Sequence, residues 1–302
     1  MIERKGIILA GGNGSRLYPI TNVISKQLLP IHDKPMIYYP LSTLILSGIK
    51  DILIITTNKD KDRFIKLLGN GSHLGIKIQY EIQNNPEGIA QAFLIAENFI
   101  NKSNVTLILG DNLFHGDDFT NRLQKNHLLN DGASIFACPV IDPERYGIIE
   151  FDSNGLAYNI QEKPNSPRSK YAITGLYFYD NTVVKKAKEI KPSMRGELEI
   201  TDINKMYMKE GKLRVEKMNR GITWLDTGTI DSLHEASSYI RSLEKRQGLK
   251  IGCPEEVAWR MGLINDDNLY SLSLNQTNSG YGIYLQSILE AKNNLKKIMD
   301  EN

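Results

Sequence analysis

Five short β-rich runs, most of them continuously apolar, each separated from the next by a helical or polar stretch, set the architecture open to this chain. They are KGIILA (5–10), DILIITT (51–57), IKIQYEI (76–82), VTLILGD (105–111) and GASIFACPV (132–140). A strand that is apolar along its whole length is covered on both faces, and intervening helices supply the crossovers that parallel pairing requires. MIYYPLSTLILSGI reads as such a helix, closed by Gly48; KDRFIKLL and the stretch from Gly88 to Ile100 read as two more. The expectation is an α/β fold, Rossmann-like, with a mixed, mostly parallel central sheet flanked by helices. The loops leaving the strands' carboxyl ends then form the ligand crevice.

After Val140 the pattern changes. YGIIEFDSNGLAYNIQEKP predicts two antiparallel strands turning at Asn154-Gly155, a favoured hairpin dipeptide. YAITGLYFYD adds a strand, a helix is expected near GELEITDINKMYMKEG, and KLRVEKMN is strand-like. GTIDSLHEASSYIRSLEKRQG predicts a long amphipathic helix, with Thr229 or Asp231 as N-cap. Beyond Leu249 a last helical piece ends near Met299. With no repeats and no linker, residues 1–248 read as the main domain and 249–302 as a helical subdomain packed on it.

Composition excludes more than it proposes. Over 302 residues, 41% hydrophobic and 24% charged content suits a water-soluble globule with a full core. A net charge of +2 gives no reason to expect nucleic acid or membrane surface as partner. No apolar run approaches spanning length, and the N-terminal stretch is too short for a signal peptide. Two cysteines, Cys138 and Cys253, in no metal-ligand spacing fit reduced thiols, so a cytoplasmic protein is expected.

Chemistry is expected at strand ends. After the first strand comes GGNGSRLYP, with SKQLLP ten residues on. Neither the dinucleotide fingerprint nor the P-loop fits, since the last glycine and the Lys-Ser/Thr pair are both missing. A glycine-rich turn can simply be a tight strand-to-helix connection. Combined with Arg16 and Lys26, the bare amides of Gly11, Gly12 and Gly14 read better as a triphosphate cradle. Asp111 follows a buried strand, where a carboxylate is a turn aspartate, a helix cap or a hard ligand for Mg²⁺. Asp226 in WLDTGT is the natural second carboxylate, although spacing alone does not bring the two together. Glu162 and Lys163 end the hairpin, either as a surface ion pair or as groups for sugar hydroxyls and phosphate. Gln27 and Gln83 offer the donor–acceptor pairs that a base edge requires. No serine or cysteine sits in a nucleophile elbow.

Taken in order, LAGGNGSRLYPIT, SKQLLPIHDKPMIYYPLSTL, GDNLFHG, DPERYGIIEF, EKP, YAITGLYFYD, RGELEITDIN, WLDTGT and CPEEVAWR resemble the blocks of the sugar-1-phosphate nucleotidyltransferase family, in its glucose-1-phosphate thymidylyltransferase branch. The resemblance covers essentially the whole chain. It implies the nucleotide-diphospho-sugar transferase fold and a thymidylyl transfer from dTTP to glucose 1-phosphate, giving dTDP-glucose and pyrophosphate with Mg²⁺ as cofactor. It implies that Gly11, Gly12, Gly14, Arg16 and Lys26 hold the triphosphate, while Gln27, Gln83 and Gly88 address the nucleoside. Asp111 and Asp226 would hold the metal, and Asp111 would also face the nucleotide. Asn112, Tyr146, Gly147, Glu162, Lys163, Ile173, Arg195 and Trp224 would line the sugar-phosphate side. A homotetramer with a second, dTDP-rhamnose-type effector site is implied at Leu46, His115, Gly116, Arg220, Cys253, Glu256 and Arg260. At His115 and Asp117 the chain departs from a common tyrosine and histidine, which leaves effector choice open. UTP or another sugar phosphate as substrate, and a non-catalytic nucleotide-sugar sensor, remain alternatives.

Overall fold

Alternation along the first strand decides where the layers go. Ile7 faces one apolar cluster together with Leu53, Ile55, Val105 and Leu107. Ile8 faces the other together with Ile52, Ile54 and Ile108. Every one of these side chains is buried, so the sheet is covered on both faces as its apolar runs require. In the computed structural model, which describes residues 3–300, the first half of the chain comprises β1 (Arg4–Ala10), the short β2 (Pro30–Ile31) and β3 (Lys34–Pro35), α1 (Tyr38–Leu46), β4 (Asp51–Thr56), α2 (Lys61–Leu68) and β5 (Lys77–Ile82). It continues through α3 (Gln91–Ile95), α4 (Glu97–Ile100), β6 (Asn104–Leu109), β7 (Asn112–Gly116), α5 (Phe119–His127) and β8 (Ala133–Pro139).

The second half holds β9 (Gly147–Phe151), β10 (Ala157–Glu162), β11 (Tyr171–Tyr179), α6 (Val183–Glu189), α7 (Ile200–Lys209), β12 (Leu213–Lys217) and β13 (Ile222–Asp226). It ends with α8 (Ile230–Gln247), α9 (Pro254–Arg260), α10 (Asp266–Leu274) and α11 (Gly280–Asp300). The main sheet runs β10-β9-β11-β6-β1-β4-β5, with β8 joining β11 to β12. Strands β6, β1, β4 and β5 are mutually parallel, while β11 is antiparallel to β6, β8 and β9.

Two features of this topology position the site. The chain leaves β1 for β4 on one side and returns to β6 on the other, so the order reverses at β1. A crevice opens at such a switch point, between the carboxyl ends of β1 and β6. The Gly11–Gly14 loop and Asp111 flank it, joined where Gly110 donates its N–H to the Leu9 carbonyl at 2.9 Å. The register of β11 also breaks between Ile173 and Tyr177. Gly175 lies in that break and donates its N–H to Asn112 Oδ1 at 3.0 Å. A Cβ on Gly175 would sit 2.5 Å from that oxygen, so the approach needs glycine.

Several expectations change. The Asn154-Gly155 hairpin is not a two-residue turn. Only Gly155 has positive φ, and residues 152–156 form a wider loop in which Asp152 Oδ1 accepts from the N–H of Asn154 and Leu156. The type I′ turn that an Asn-Gly pair favours needs positive φ at both residues. The helix expected from Gly88 starts only at Gln91, because Gly88 has φ +106, and it divides at Ala96. The C-terminal stretch is three helices rather than one piece. They share the core with the sheet, through Cys253, Ala258, Leu269, Tyr281 and Leu285. Thr229, not Asp231, caps α8, in a reciprocal pair with Ser232. No helix among the described residues is long and apolar enough to cross a membrane.

Candidate active site

The small sheet formed by β7 and β13 does what sequence spacing could not show. Asp226 pairs with Asn112 in its register, one residue from Asp111. Thr227 fixes the junction, donating its N–H and its hydroxyl to the Asp111 carbonyl at 3.2 and 2.8 Å. The two carboxylates therefore share one neighbourhood, each with 16% side-chain exposure. Their protonation diverges. Burial works to raise Asp111, but the paired Lys26 ammonium overrides it and holds the carboxyl below its ordinary value. Asp226 is pushed up to about 6, by burial first and then by the Asp111 charge. Two like charges brought together in partial burial, with spare oxygens, are the donor set that suits a hard divalent cation.

Around this pair lies a cavity lined by Arg16, Asp111, Arg145, Glu162, Lys163, Arg195 and Asp226, among others. All eight residues expected on the sugar-phosphate side, Asn112, Tyr146, Gly147, Glu162, Lys163, Ile173, Arg195 and Trp224, line it. The Asn112 amide is spent on organisation. Its oxygen accepts from the Trp224 indole at 2.6 Å and from Gly175, and its nitrogen donates to Asp111 Oδ1 at 2.9 Å. Lys163 adopts φ +40, a left-handed conformation uncommon for a side-chain-bearing residue, held as its N–H donates to the Tyr146 carbonyl at 3.0 Å. Glu162 is raised, by burial and then by the charge of Glu199.

The residues expected on the nucleotide side lie next to this cavity rather than in its lining, apart from Arg16 and Asp111. Gly11 backs onto Gln83, whose Oε1 would be 2.1 Å from a Cβ there. Gly12 is exposed with open space around it, and Gly14 takes φ +61 beside Thr21 and Lys26. Gln27 and Gln83 are buried, at 3% and 4% exposure, and the Gln83 amide donates to Gln91 Oε1 at 2.6 Å. Gly88 is held between backbones: a Cβ would stand 2.4 Å from the Leu198 carbonyl oxygen and 2.6 Å from its nitrogen. Gly88→Ala should therefore cost about 3 kcal/mol or more, from positive φ and overpacking together. Urea unfolding checks this; a variant within about 0.5 kcal/mol of wild type, the range of a neutral surface change, would contradict it.

Sequence reasoning passed over Arg145, Glu199 and Thr201, which also line the cavity. Arg145 sat in the DPERYG block, on a short turn between strands, where a charged residue gives no periodic signal. At the other end of β7 a second groove gathers five of the expected effector residues, Leu46, His115, Gly116, Glu256 and Arg260. It does not gather the other two. Cys253 is buried among Tyr281 and Glu255, and Arg220 is exposed outside the groove lining.

The family model described as "Nucleotidyl transferase" matches residues 5–242, which include both carboxylates. A glucose-1-phosphate thymidylyltransferase of Neisseria meningitidis is 54% identical over 286 residues, covering 95% of this chain and 99% of that protein. Another of that name, from Mycobacterium tuberculosis, is 53% identical over 286 residues, covering 95% and 99%. A Bacillus anthracis protein crystallised with a sucrose is 43% identical, with a TM-score of 0.73, covering 79% of this chain and 95% of that one. A chain that matches along nearly its full length in this way belongs to the nucleotidyl transferase family, among the glucose-1-phosphate thymidylyltransferases.

Proposed function

We propose that this protein transfers a thymidylyl group from dTTP to α-D-glucose 1-phosphate, releasing pyrophosphate and giving dTDP-glucose, the first step towards dTDP-L-rhamnose. The observation that carries the reading is the Asp111–Asp226 pair at the switch point, beside a cavity lined by Arg16, Lys163 and Arg195. The names of the relatives supply the substrates. Asp111 and Asp226 would hold Mg²⁺, which when bound supplies positive charge to neutralise the reacting phosphates.

The rest of the work falls to the chain's own side chains. Both substrates are anions, and two unit charges 4 Å apart repel by roughly 4 kcal/mol at an effective dielectric near 20. Arg16 and Lys26 offset this on the triphosphate, and Lys163 and Arg195 do so on the acceptor phosphate. Gln27 and Gln83 present amide donors and acceptors to the base. Glu162, a carboxylate in the cavity wall, takes sugar hydroxyls. The acceptor phosphate oxygen is already ionised at neutral pH, so attack on the α-phosphorus needs no general base. Attack is in line, pyrophosphate leaves on the opposite side, and no covalent enzyme intermediate forms. We place catalysis in residues 1–248, with 249–302 as a helical subdomain, and read the groove at Leu46, His115 and Arg260 as a nucleotide-sugar effector site in a cytoplasmic homotetramer.

Pyrophosphate release from a panel of dTTP and UTP with several sugar 1-phosphates, with and without Mg²⁺, tests the reading. dTTP with glucose 1-phosphate and Mg²⁺ should be the preferred set; release with UTP alone, or with none, would refute it. Lys163→Ala should raise the KM for glucose 1-phosphate roughly 10–100-fold, the loss expected for one charge-assisted hydrogen bond. The KM for dTTP should stay within about threefold, well under 1 kcal/mol. An unchanged sugar-phosphate KM would remove Lys163 from that role.

A further inference from the structure

Gln83 stands directly after β5, its backbone N–H donating to the Thr56 carbonyl at 2.8 Å. Its side-chain amide is buried, and which end of an amide is oxygen is decided by its hydrogen-bond partners. Here the partners leave one answer. The Glu87 carboxylate, which can only accept, takes a hydrogen from Gln91 Nε2 at 2.8 Å. Gln91 therefore turns its oxygen the other way. There the Glu87 backbone N–H, which can only donate, reaches that oxygen at 3.2 Å. The same oxygen accepts from Gln83 Nε2 at 2.6 Å. Two partners of fixed character settle Gln91, and Gln91 settles Gln83.

The relay is held in place by backbone. The Glu87 carbonyl accepts from the Leu198 N–H at 2.7 Å, and the Ala90 N–H donates to the Leu198 carbonyl at 3.2 Å. Gln27 is not settled in this way. Its Oε1 meets the Ser25 hydroxyl at 2.7 Å, and a hydroxyl serves as donor or acceptor alike.

The consequence is a hydrogen-bonding edge of defined polarity. Gln83 Oε1 is turned towards Gly11, where a Cβ would stand 2.1 Å from it. Gln83 Nε2 has committed one of its two hydrogens to Gln91. What remains is an acceptor beside a donor. Its complement is a ring N–H beside a carbonyl, the N3 edge of thymine or uracil. Cytosine offers the reverse, a bare ring nitrogen beside an amino group. To pair with cytosine the Gln83 amide would have to turn over, setting its oxygen against the Gln91 oxygen.

We infer that Glu87 and Gln91 are positioning residues that fix the polarity of the Gln83 amide and so turn cytosine nucleotides away. The inference deepens the proposed function and rests on it, since it requires a pyrimidine nucleotide at Gln83. Neither residue need touch the nucleotide; both act through Gln83.

The test compares kcat/KM for dTTP, UTP and dCTP in the full-length protein, with glucose 1-phosphate and Mg²⁺. The wild type should prefer dTTP over dCTP by roughly 10³-fold or more, as a site built to hydrogen-bond one edge does. Gln91→Leu frees the Gln83 amide to turn, and the preference should shrink roughly 10–100-fold. A merely structural loss would weaken both nucleotides together and leave their ratio alone. The dTTP-to-UTP ratio should stay within about threefold in every variant, because the two bases share the edge that Gln83 meets. Exchanging the pair, Glu87→Gln with Gln91→Glu, again sets an acceptor against Gln83 Nε2 and should restore most of the preference. Melting curves identify a variant that fails to fold. Glu87 is exposed, so Glu87→Lys then carries the comparison, its donor-only group turning Gln91 and with it Gln83. A wild type that accepts dCTP as readily as dTTP, or a preference that survives Gln91→Leu, sinks this inference alone. A wild type inactive with both dTTP and UTP sinks the proposed function as well.

Discussion

Replacing Asp226 with asparagine should abolish most turnover and, at the same time, stabilise the ligand-free protein at neutral pH. The activity loss follows from removing one of two carboxylates at the reacting centre, an electrostatic deletion of the size that costs roughly 10²–10³-fold in kcat. The stability gain follows from linkage. The folded Asp226 carboxyl is raised from 3.8 to about 6, by burial and then by the Asp111 charge. A group raised in this way contributes stability that is complete below its unfolded value and disappears as pH climbs through its folded value. Above about pH 6 the wild type therefore carries a charge that the fold disfavours, by about 1–3 kcal/mol. The amide carries no such charge. Melting of the metal-free proteins should show the variant several degrees above wild type at pH 7.5, with the gap closing towards pH 4. A variant that melts lower at pH 7.5 would show that Asp226 is held by favourable partners instead.

Lys26→Met should have the opposite effect on stability. Lys26 and Asp111 form an ion pair with side-chain exposures of only 10% and 16%. Removing the cation leaves a carboxylate in a poorly solvated place without its main partner, a change that costs about 3 kcal/mol. In the wild type the Asp111 carboxyl lies below its ordinary value, because the Lys26 ammonium outweighs burial. A depressed carboxyl contributes stability above its unfolded value and loses it as pH falls through the folded value. The deficit of Lys26→Met should therefore be full at pH 7.5 and fade in acid. Asp111→Asn added to Lys26→Met should recover much of the stability without recovering activity. Urea unfolding of the single and double variants measures both effects, and a single variant as stable as wild type at pH 7.5 would contradict the pairing.

The sheet was legible because its strands carry their own signal. Ile7 and Ile8, or Ile54 and Ile55, must each find a covered face, and a run with both can only be an internal strand. The carboxylate pair was legible in its parts but not in its assembly. Asp111 and Asp226 meet through the pairing of β7 with β13, a contact between segments more than a hundred residues apart that no local pattern encodes. Arg145 was invisible for another reason. Its place in the cavity wall is decided by Asp142, Tyr146 and Asp226 together. Gly88 misled the helix assignment, since a position that needs φ +106 looks in sequence like any other glycine. The resemblance counted Cys253 among the effector residues; its thiol, at the N-cap of α9, accepts from the Tyr281 hydroxyl and does not line the groove.

The central claim is that Asp111 and Asp226 jointly hold one divalent cation at the reacting centre. Titration of Mn²⁺ followed by electron paramagnetic resonance, with dTTP present, tests it most directly on wild type, Asp111→Asn and Asp226→Asn. The account predicts one tight ion per wild-type chain and at least tenfold weaker binding in each variant, about 1.4 kcal/mol or more. Undiminished binding in both variants would contradict it.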